Sequence, residues 1–233
     1  MLPIVIISFN NGRYVRNMVE QLCRINPMFQ AFIWILDNCS TEPETLAYIR
    51  TVPVRVIRST TNEGPWISPS RNTAVYAELP DLFVLTDPDL QLNPRLPPTF
   101  VDTLADLAVT HGASRVGLAL DISAPSLFLE GDYLQGRTIA EHEAQFWTTR
   151  IAHPTYELYR AGVDTTFCVV NKRVYDQESH HIRVAGDFTA KHLPWYKQNP
   201  LYSTPELADL TTHETQISTT SRLFRWNLDN GRI

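Results

Sequence analysis

Two carboxylates one residue apart, Asp87 and Asp89, close the stretch "DLFVLTDPDLQLNP" (81–94), with Pro88 between them. The apolar run Leu82 to Leu85 delivers them, so they fall at the exit of a buried strand. Carboxylate oxygens on a stiff turn suit Mg2+ or Mn2+, hard cations that share their coordination shell with phosphate and water. Pro88 fixes its own φ and restricts Asp87, which stiffens the turn. A solvated aspartate-rich corner is the alternative, and so short a motif does not decide between the two.

The elements around the pair carry the decision further. "PIVIIS" (3–8), "AFIWIL" (31–36), "VRVIRS" (54–59) and "LFVLT" (82–86) read as strands. Val15, Met18, Val19, Leu22 and Ile25 recur at helical spacing after the first strand. "TEPETLAYIR" (41–50), capped by Thr41, and "SPSRNTAVYAEL" (68–79) supply two more helices. This alternation predicts an α/β fold with parallel βαβ units, whose ligands bind beyond the carboxyl ends of the strands. Those ends carry Ser8-Phe9-Asn10, Asp37-Asn38, Ser59 to Asn62 and Asp87-Pro88-Asp89, which places every polar cluster on one rim.

Beyond residue 92 the pattern is less regular. Helices are expected at 100–112 and 138–147, and strands at 115–122 and 165–172. Residues 180–196 are expected to be extended or loop chain. The tail, 197–233, holds one weak helical stretch (205–214) and a polar run, "TQISTTSR". The chain therefore divides into a first half (1–92), a second half (93–196) and a tail within one domain. No internal repeat or low-complexity segment is visible.

The bulk composition bounds the function. The 233 residues are 43% hydrophobic and 19% charged, an ordinary globular balance. A net charge of −5 argues against a general nucleic-acid binder, although a basic pocket for a phosphorylated ligand remains compatible with it. Cys23, Cys39 and Cys168 are too few and scattered for a disulfide framework or a zinc site, and each is expected to be buried. The opening "MLPIVIIS" turns polar at Ser8, too early for a signal segment, and no run approaches a membrane span. A cytoplasmic setting is expected.

Three stretches carry a resemblance. "VIISFNNGRYVRNMVEQL", "ILDNCSTEPETLAYI" and "RSTTNEGPWISPSRNTAVYAELPDLFVLTDPDL" resemble, in order and spacing, the first half of the family 2-like nucleotide-diphosphosugar glycosyltransferases of the GT-A fold. The resemblance implies a mostly parallel sheet flanked by helices, with a less regular acceptor side in the second half. It implies that Ser8, Phe9, Asn10 and Asp37 hold the nucleobase and ribose, an Asx-turn capping the next helix being the alternative for Asp37. It also implies that Asn62, Arg71 and Asp87 serve the rest of the donor, a surface salt bridge being the alternative for Arg71. The charge of Arg183 suits the diphosphate, an exposed strand residue being its alternative. A carboxylate accepting from a base imino group gives a charge-assisted hydrogen bond; uracil and guanine suit Asp37 equally, and UDP is favoured by family frequency. One departure from the commonest members is Gly64-Pro65-Trp66, where Trp66 is expected to anchor the following helix.

The same resemblance implies a late histidine that completes the metal shell, and "TAKHLPWY" offers His192, binding as a neutral imidazole. Mn2+ or Mg2+ would then be held by Asp87, Asp89 and His192. The six other histidines lack comparable company. An acceptor hydroxyl needs a general base, for which Asp164 and Asp187 are the candidates, Asp164 first. Trp147, Trp195 and Tyr196 are the aromatic candidates for stacking on an acceptor sugar, burial in the core being the alternative.

The expected partners are a nucleotide diphosphosugar donor and a saccharide or glycan acceptor, in a reaction of polysaccharide biosynthesis, with no nucleic acid and no transmembrane segment. A sugar-1-phosphate nucleotidyltransferase would need a Gly-rich loop after the first strand, which "SFNNGRY" lacks. An Asp-x-Asp phosphatase would carry its motif on the opening strand. A nucleotide-sugar or saccharide-binding module without turnover is the non-enzymatic alternative.

Overall fold

The structure, a computed structural model, describes residues 1–174 and 180–202. The tail helix expected at 205–214 and the polar run after it lie outside the described residues. β1 (Ile4–Ser8), β2 (Ile33–Asp37), β3 (Arg55–Arg58) and β4 (Leu82–Thr86) are parallel in the order β3-β2-β1-β4. α1 (Gly12–Ile25), α2 (Pro43–Thr51) and α3 (Thr73–Glu78) are the connections between them.

β1 is wholly buried because both faces of the sheet are covered. Ile4 and Ile6 join one core with Val15, Met18 and Leu22 of α1 and with Phe100 and Leu104 of α4 (Phe100–Thr110). Val5 and Ile7 join the opposite core with Val75 of α3 and Leu79 just beyond it. Each fully buried Leu or Ile contributes roughly 1.5–3 kcal/mol of transfer free energy, so the alternation of one apolar run fixes the sheet between two layers.

The second half extends the same sheet. β9 (Cys168–Asn171) runs antiparallel between β4 and β6 (Arg115–Leu120). β6 in turn pairs in parallel with β10 (His181–His192). β8 (Leu158–Arg160) and β7 (Arg150–Ile151) form the far edge, and β5 (Leu90–Leu92) pairs with β10. α5 (Ile139–Ala144) opens on a capping box between Thr138 and Glu141.

Several local expectations change. The third helix starts at Thr73, because Ser68-Pro69-Ser70-Arg71 closes into a turn (Ser68 N to Arg71 O, 2.9 Å) and Asn72 is left-handed at φ 49°. Arg71 is therefore not on that helix. Thr41 does not cap α2; Asn10 Oδ1 accepts from both Thr41 N and Glu42 N at 2.8 Å. Residues 181–192 form one continuous strand of 12 residues with a bulge between Val184 and Thr189, where Gly186 adopts φ 68°. Cys168 is buried as expected, but Cys23 and Cys39 are only partly so.

Candidate active site

The strand order brings the ends of β3, β2, β1 and β4 side by side, so the four polar clusters do share one rim. On its donor side most side chains are tied into the scaffold. Ser8 is fully buried and donates to Asn11 Oδ1 at 3.3 Å; the same oxygen accepts from Phe9 N at 3.1 Å. Asn10 is engaged by the Thr41 and Glu42 N–H groups just ahead of α2. Asp37 is also fully buried, with Oδ2 3.2 Å from Arg58 Nε and Oδ1 accepting from Ser40 N at 3.3 Å. Asn62 accepts from Gly64 N at 2.9 Å, a turn closed by its own side chain. Arg71 Nη1 donates to Glu63 O at 3.3 Å. Trp66 O accepts from Asn72 Nδ2 at 2.8 Å, while its ring lies 5.0 Å from the Arg115 guanidinium. Trp66 thus bridges the helix start and the second half of the chain.

The Asp-x-Asp turn sends its two carboxylates to different neighbours. Asp87 N donates to Thr165 O at 2.8 Å, and Thr165 Oγ1 donates back to Asp87 Oδ2. Asp89 turns to the end of β10, its Oδ2 3.4 Å from His192 Nε2, and its carbonyl accepts from Leu193 N at 2.8 Å. Burial foremost, then the Asp89 charge, hold the Asp87 carboxyl well above the usual carboxylate range; Asp164 acts in the same direction and the Thr165 hydroxyl opposes it.

Among the described residues no three His, Cys, Asp or Glu close into a metal-holding group, because Asp87 is drawn towards Thr165 while Asp89 and His192 face each other. The donor set nevertheless fits a hard cation in charge and chemistry. Asp87 Oδ1 and Asp89 Oδ1 are both buried without a hydrogen-bond partner, as is His192 Nδ1. Buried anionic oxygens with no donor are costly unless a cation neutralises them.

Asp164 lies next to this turn, one residue before Thr165. It is exposed on its loop, although neighbouring atoms still partly desolvate its carboxyl. Burial raises it above the ordinary carboxylate range, against the Thr165 N–H and the charges of Arg115, Arg183 and His192. Asp187 is elsewhere, on the bulge of β10, in an exposed ion pair with Arg95 at 2.9 Å. It is Asp164, through its neighbour Thr165, and not Asp187 that adjoins the Asp-x-Asp turn.

Arg183 is tied into the scaffold too: its guanidinium is buried, ion-paired with Glu143, and donates from Nε to Gly162 O at 2.7 Å. Trp195 and Tyr196 belong to the core, packed edge-on against Phe128, and have little face to offer a sugar; the Trp195 ring is 4.7 Å from His192 instead. Trp147 is half-buried against Tyr159 at 5.3 Å.

Thr165, Arg115, Glu143 and Arg58 are site neighbours that the sequence reading passed over. Each had a signal: Thr165 adjoins Asp164, Arg115 opens an otherwise apolar strand, and Arg58 closes a short strand that also carries Arg55. Glu143 sits on a helix turn beside aromatic residues.

The sequence model of Glycosyl transferase family 2 matches residues 4–167. The chain belongs to that family. Its mostly parallel sheet flanked by helices is the GT-A architecture. No curated protein matches the sequence. Similar solved structures include the mannosyltransferase PcManGT from Pyrobaculum calidifontis in complex with GDP-Man and Mn2+, at 13% identity and TM-score 0.42 over 73% of this chain and 44% of that one. S. aureus TarS 1-349 is similar at 17% identity and TM-score 0.40 over 73% and 46%. Glucosyl-3-phosphoglycerate synthase from Mycobacterium tuberculosis, in complex with Mn2+, UDP and glucosyl-3-phosphoglycerate, is similar at 20% identity and TM-score 0.36 over 54% and 45%. The chain spans less than half the length of each of these three. Among the described residues no helix is long and apolar enough to cross a membrane.

Proposed function

We propose that this family 2 chain is a metal-dependent glycosyltransferase that moves a hexosyl group from a nucleotide diphosphosugar, UDP-linked in the first instance, to a hydroxyl of a saccharide acceptor. The observation that carries it is the pair of bare buried oxygens, one on each member of the Asp-x-Asp pair beyond the end of β4, with His192 Nε2 3.4 Å from Asp89. Asp89, His192 and Asp87 are the residues to hold Mn2+ or Mg2+. When bound, the cation acts as a Lewis acid that neutralises charge on the departing diphosphate.

The chain's own groups do the rest. Asp37 sits at the nucleobase end of the rim, its carboxylate held by Arg58. Thr165 keeps Asp87 at the turn through reciprocal hydrogen bonds. Asp164 takes the proton of the acceptor hydroxyl as its oxygen bonds to the anomeric carbon and the bond from that carbon to the diphosphate breaks. A carboxyl raised above the ordinary range, as Asp164 is, gives the stronger base at neutral pH.

The test is incubation with UDP-glucose, UDP-N-acetylglucosamine and GDP-mannose, in Mn2+ or in EDTA, with nucleotide release followed by chromatography. Release that requires Mn2+, is lost in Asp89→Asn and is lost in Asp164→Asn supports the reading. Release equal in EDTA, or none from any donor, refutes it.

A further inference from the structure

The segment that carries Asp164 rests on a polar seat built from two adjacent strands. Alternate strand residues share a face. Arg115 and Gly117 of β6 therefore stand beside their register partners His181 and Arg183 of β10. The intervening Val116, Leu118, Ile182 and Val184 point into the opposite core.

Consecutive backbone groups of 162–165 are held from this seat and its surroundings. Arg183 Nε donates to Gly162 O at 2.7 Å. Val163 N donates to His181 Nδ1 at 3.0 Å. Arg115 Nη1 donates to Asp164 O at 3.4 Å. Thr165 N donates to Asp164 Oδ1 at 2.8 Å, which ties the carboxylate to its own loop.

Arg183 is itself fixed from above. Glu143 of α5 pairs with Nη1, and the Phe146 ring lies 4.1 Å from the guanidinium carbon. The two charged side chains are 6% and 3% exposed. A buried ion pair is weak evidence of stabilisation, since apolar residues of the same volume fill such space at least as well. Its place directly beneath the Asp164 segment points to a positional role.

We propose that Arg183, clamped by Glu143, is a positioning residue for Asp164: by holding the Gly162 carbonyl it sets the carboxylate's attitude towards the acceptor hydroxyl. This rests on the reading of Asp164 as the base. The charged and titratable groups around Asp164 are Asp87 at the β4 exit, Arg115 on β6, Arg183 and His192 on β10, and Tyr133. Of these Arg115 foremost, then Arg183 and His192, favour the ionised carboxylate. Loss of the Arg183 cation raises Asp164, and the acidic limb of the kcat–pH profile moves to higher pH.

The variants are Arg183→Lys, which keeps charge but cannot span Gly162 O and Glu143 with one planar fork, Arg183→Met, and Glu143→Gln. Each is measured for UDP affinity in Mn2+, for kcat and KM with whichever of the three donors turns over best, and for the kcat–pH profile. Expected is a loss of about 10–100-fold in kcat, the scale of a misplaced catalytic group. UDP affinity and donor KM stay near wild type, and the acidic limb moves up in Arg183→Met. If Arg183→Met fails to fold, Arg183→Lys and Glu143→Gln carry the kcat comparison. Unchanged kcat in these folded variants, or UDP affinity falling in step with kcat, overturns the proposal. Asp164→Asn separates the two claims. If it keeps full kcat, the base assignment fails and the positioning role with it. If it abolishes transfer while Arg183→Lys and Glu143→Gln do not lower kcat, the positioning role alone fails.

Discussion

Replacing Gly117 by alanine tests whether the segment that carries Asp164 needs a bare floor. Gly117 lies in β6 opposite Cys168 of β9. A Cβ at this position would stand 2.7 Å from Val163 Cγ1, 2.9 Å from Cys168 Cβ and 3.1 Å from Phe167 O. Optimal carbon–carbon contact is about 3.5–4.0 Å, so the segment must lift by up to roughly 1 Å. Val163, Phe167 and Cys168 are all buried, which leaves no solvent-facing route for relief. Overpacking of this kind costs about 1–3 kcal/mol, and at about 2–4 °C per kcal/mol for a domain of this size it lowers Tm by roughly 2–12 °C. The same lift moves Asp164 and Thr165 relative to Asp87, and a shift of that size at a reacting group lowers turnover by about 100-fold. Ser8 and Asp37 end other strands and Asn62 lies in the loop after β3, so UDP affinity stays close to wild type. Calorimetric melting, donor turnover and UDP titration on one preparation measure all three. A Gly117→Ala protein with wild-type Tm and wild-type turnover would refute the packing of residues 163–168 against β6.

Further outcomes follow from the same contacts. Asp87→Asn in EDTA raises Tm, and by more at pH 8 than at pH 5. The folded carboxyl is held above its unfolded value, so its stabilising contribution is present below the unfolded pKa and is lost as pH rises through the folded one. Melting curves at the two pH values check the sign; a smaller gain at pH 8 contradicts it. Asp187→Asn changes stability by less than about 0.5 kcal/mol and leaves turnover intact, because its pair with Arg95 is exposed on both sides; a loss of turnover on assay would point to Asp187 as the base. Phe100→Ala costs about 3–5 kcal/mol in chemical denaturation, since the ring is fully buried between Phe29 and Phe167; a cost under 1 kcal/mol would contradict the core described.

The first four strands were legible because each is a continuous apolar run, and such runs need both faces covered. Parallel order then followed from the helices between them, and with it the rim. The seat of Asp164 was not legible. Thr165 meets Asp87 across 78 residues and Arg183 meets Glu143 across 40, distances over which no local periodicity speaks. Arg183 between Ile182 and Val184 reads as a phosphate ligand or an exposed strand residue, and its burial against Glu143 depends on the arrival of α5. The bulge that turns Asp187 outward is signalled by Gly186 alone. His192 was found through resemblance to a family, and its approach to Asp89 is a property of strand register, with β10 and β5 pairing His192 opposite Leu90.

Metal-dependent nucleotide binding at the Asp-x-Asp turn is the central claim, and calorimetric titration of UDP into the protein with Mn2+ or with EDTA measures it directly. Saturable binding in Mn2+ that disappears in EDTA and in Asp89→Asn is the predicted result. Equal affinity in Mn2+ and EDTA, or affinity untouched by Asp89→Asn, would contradict it.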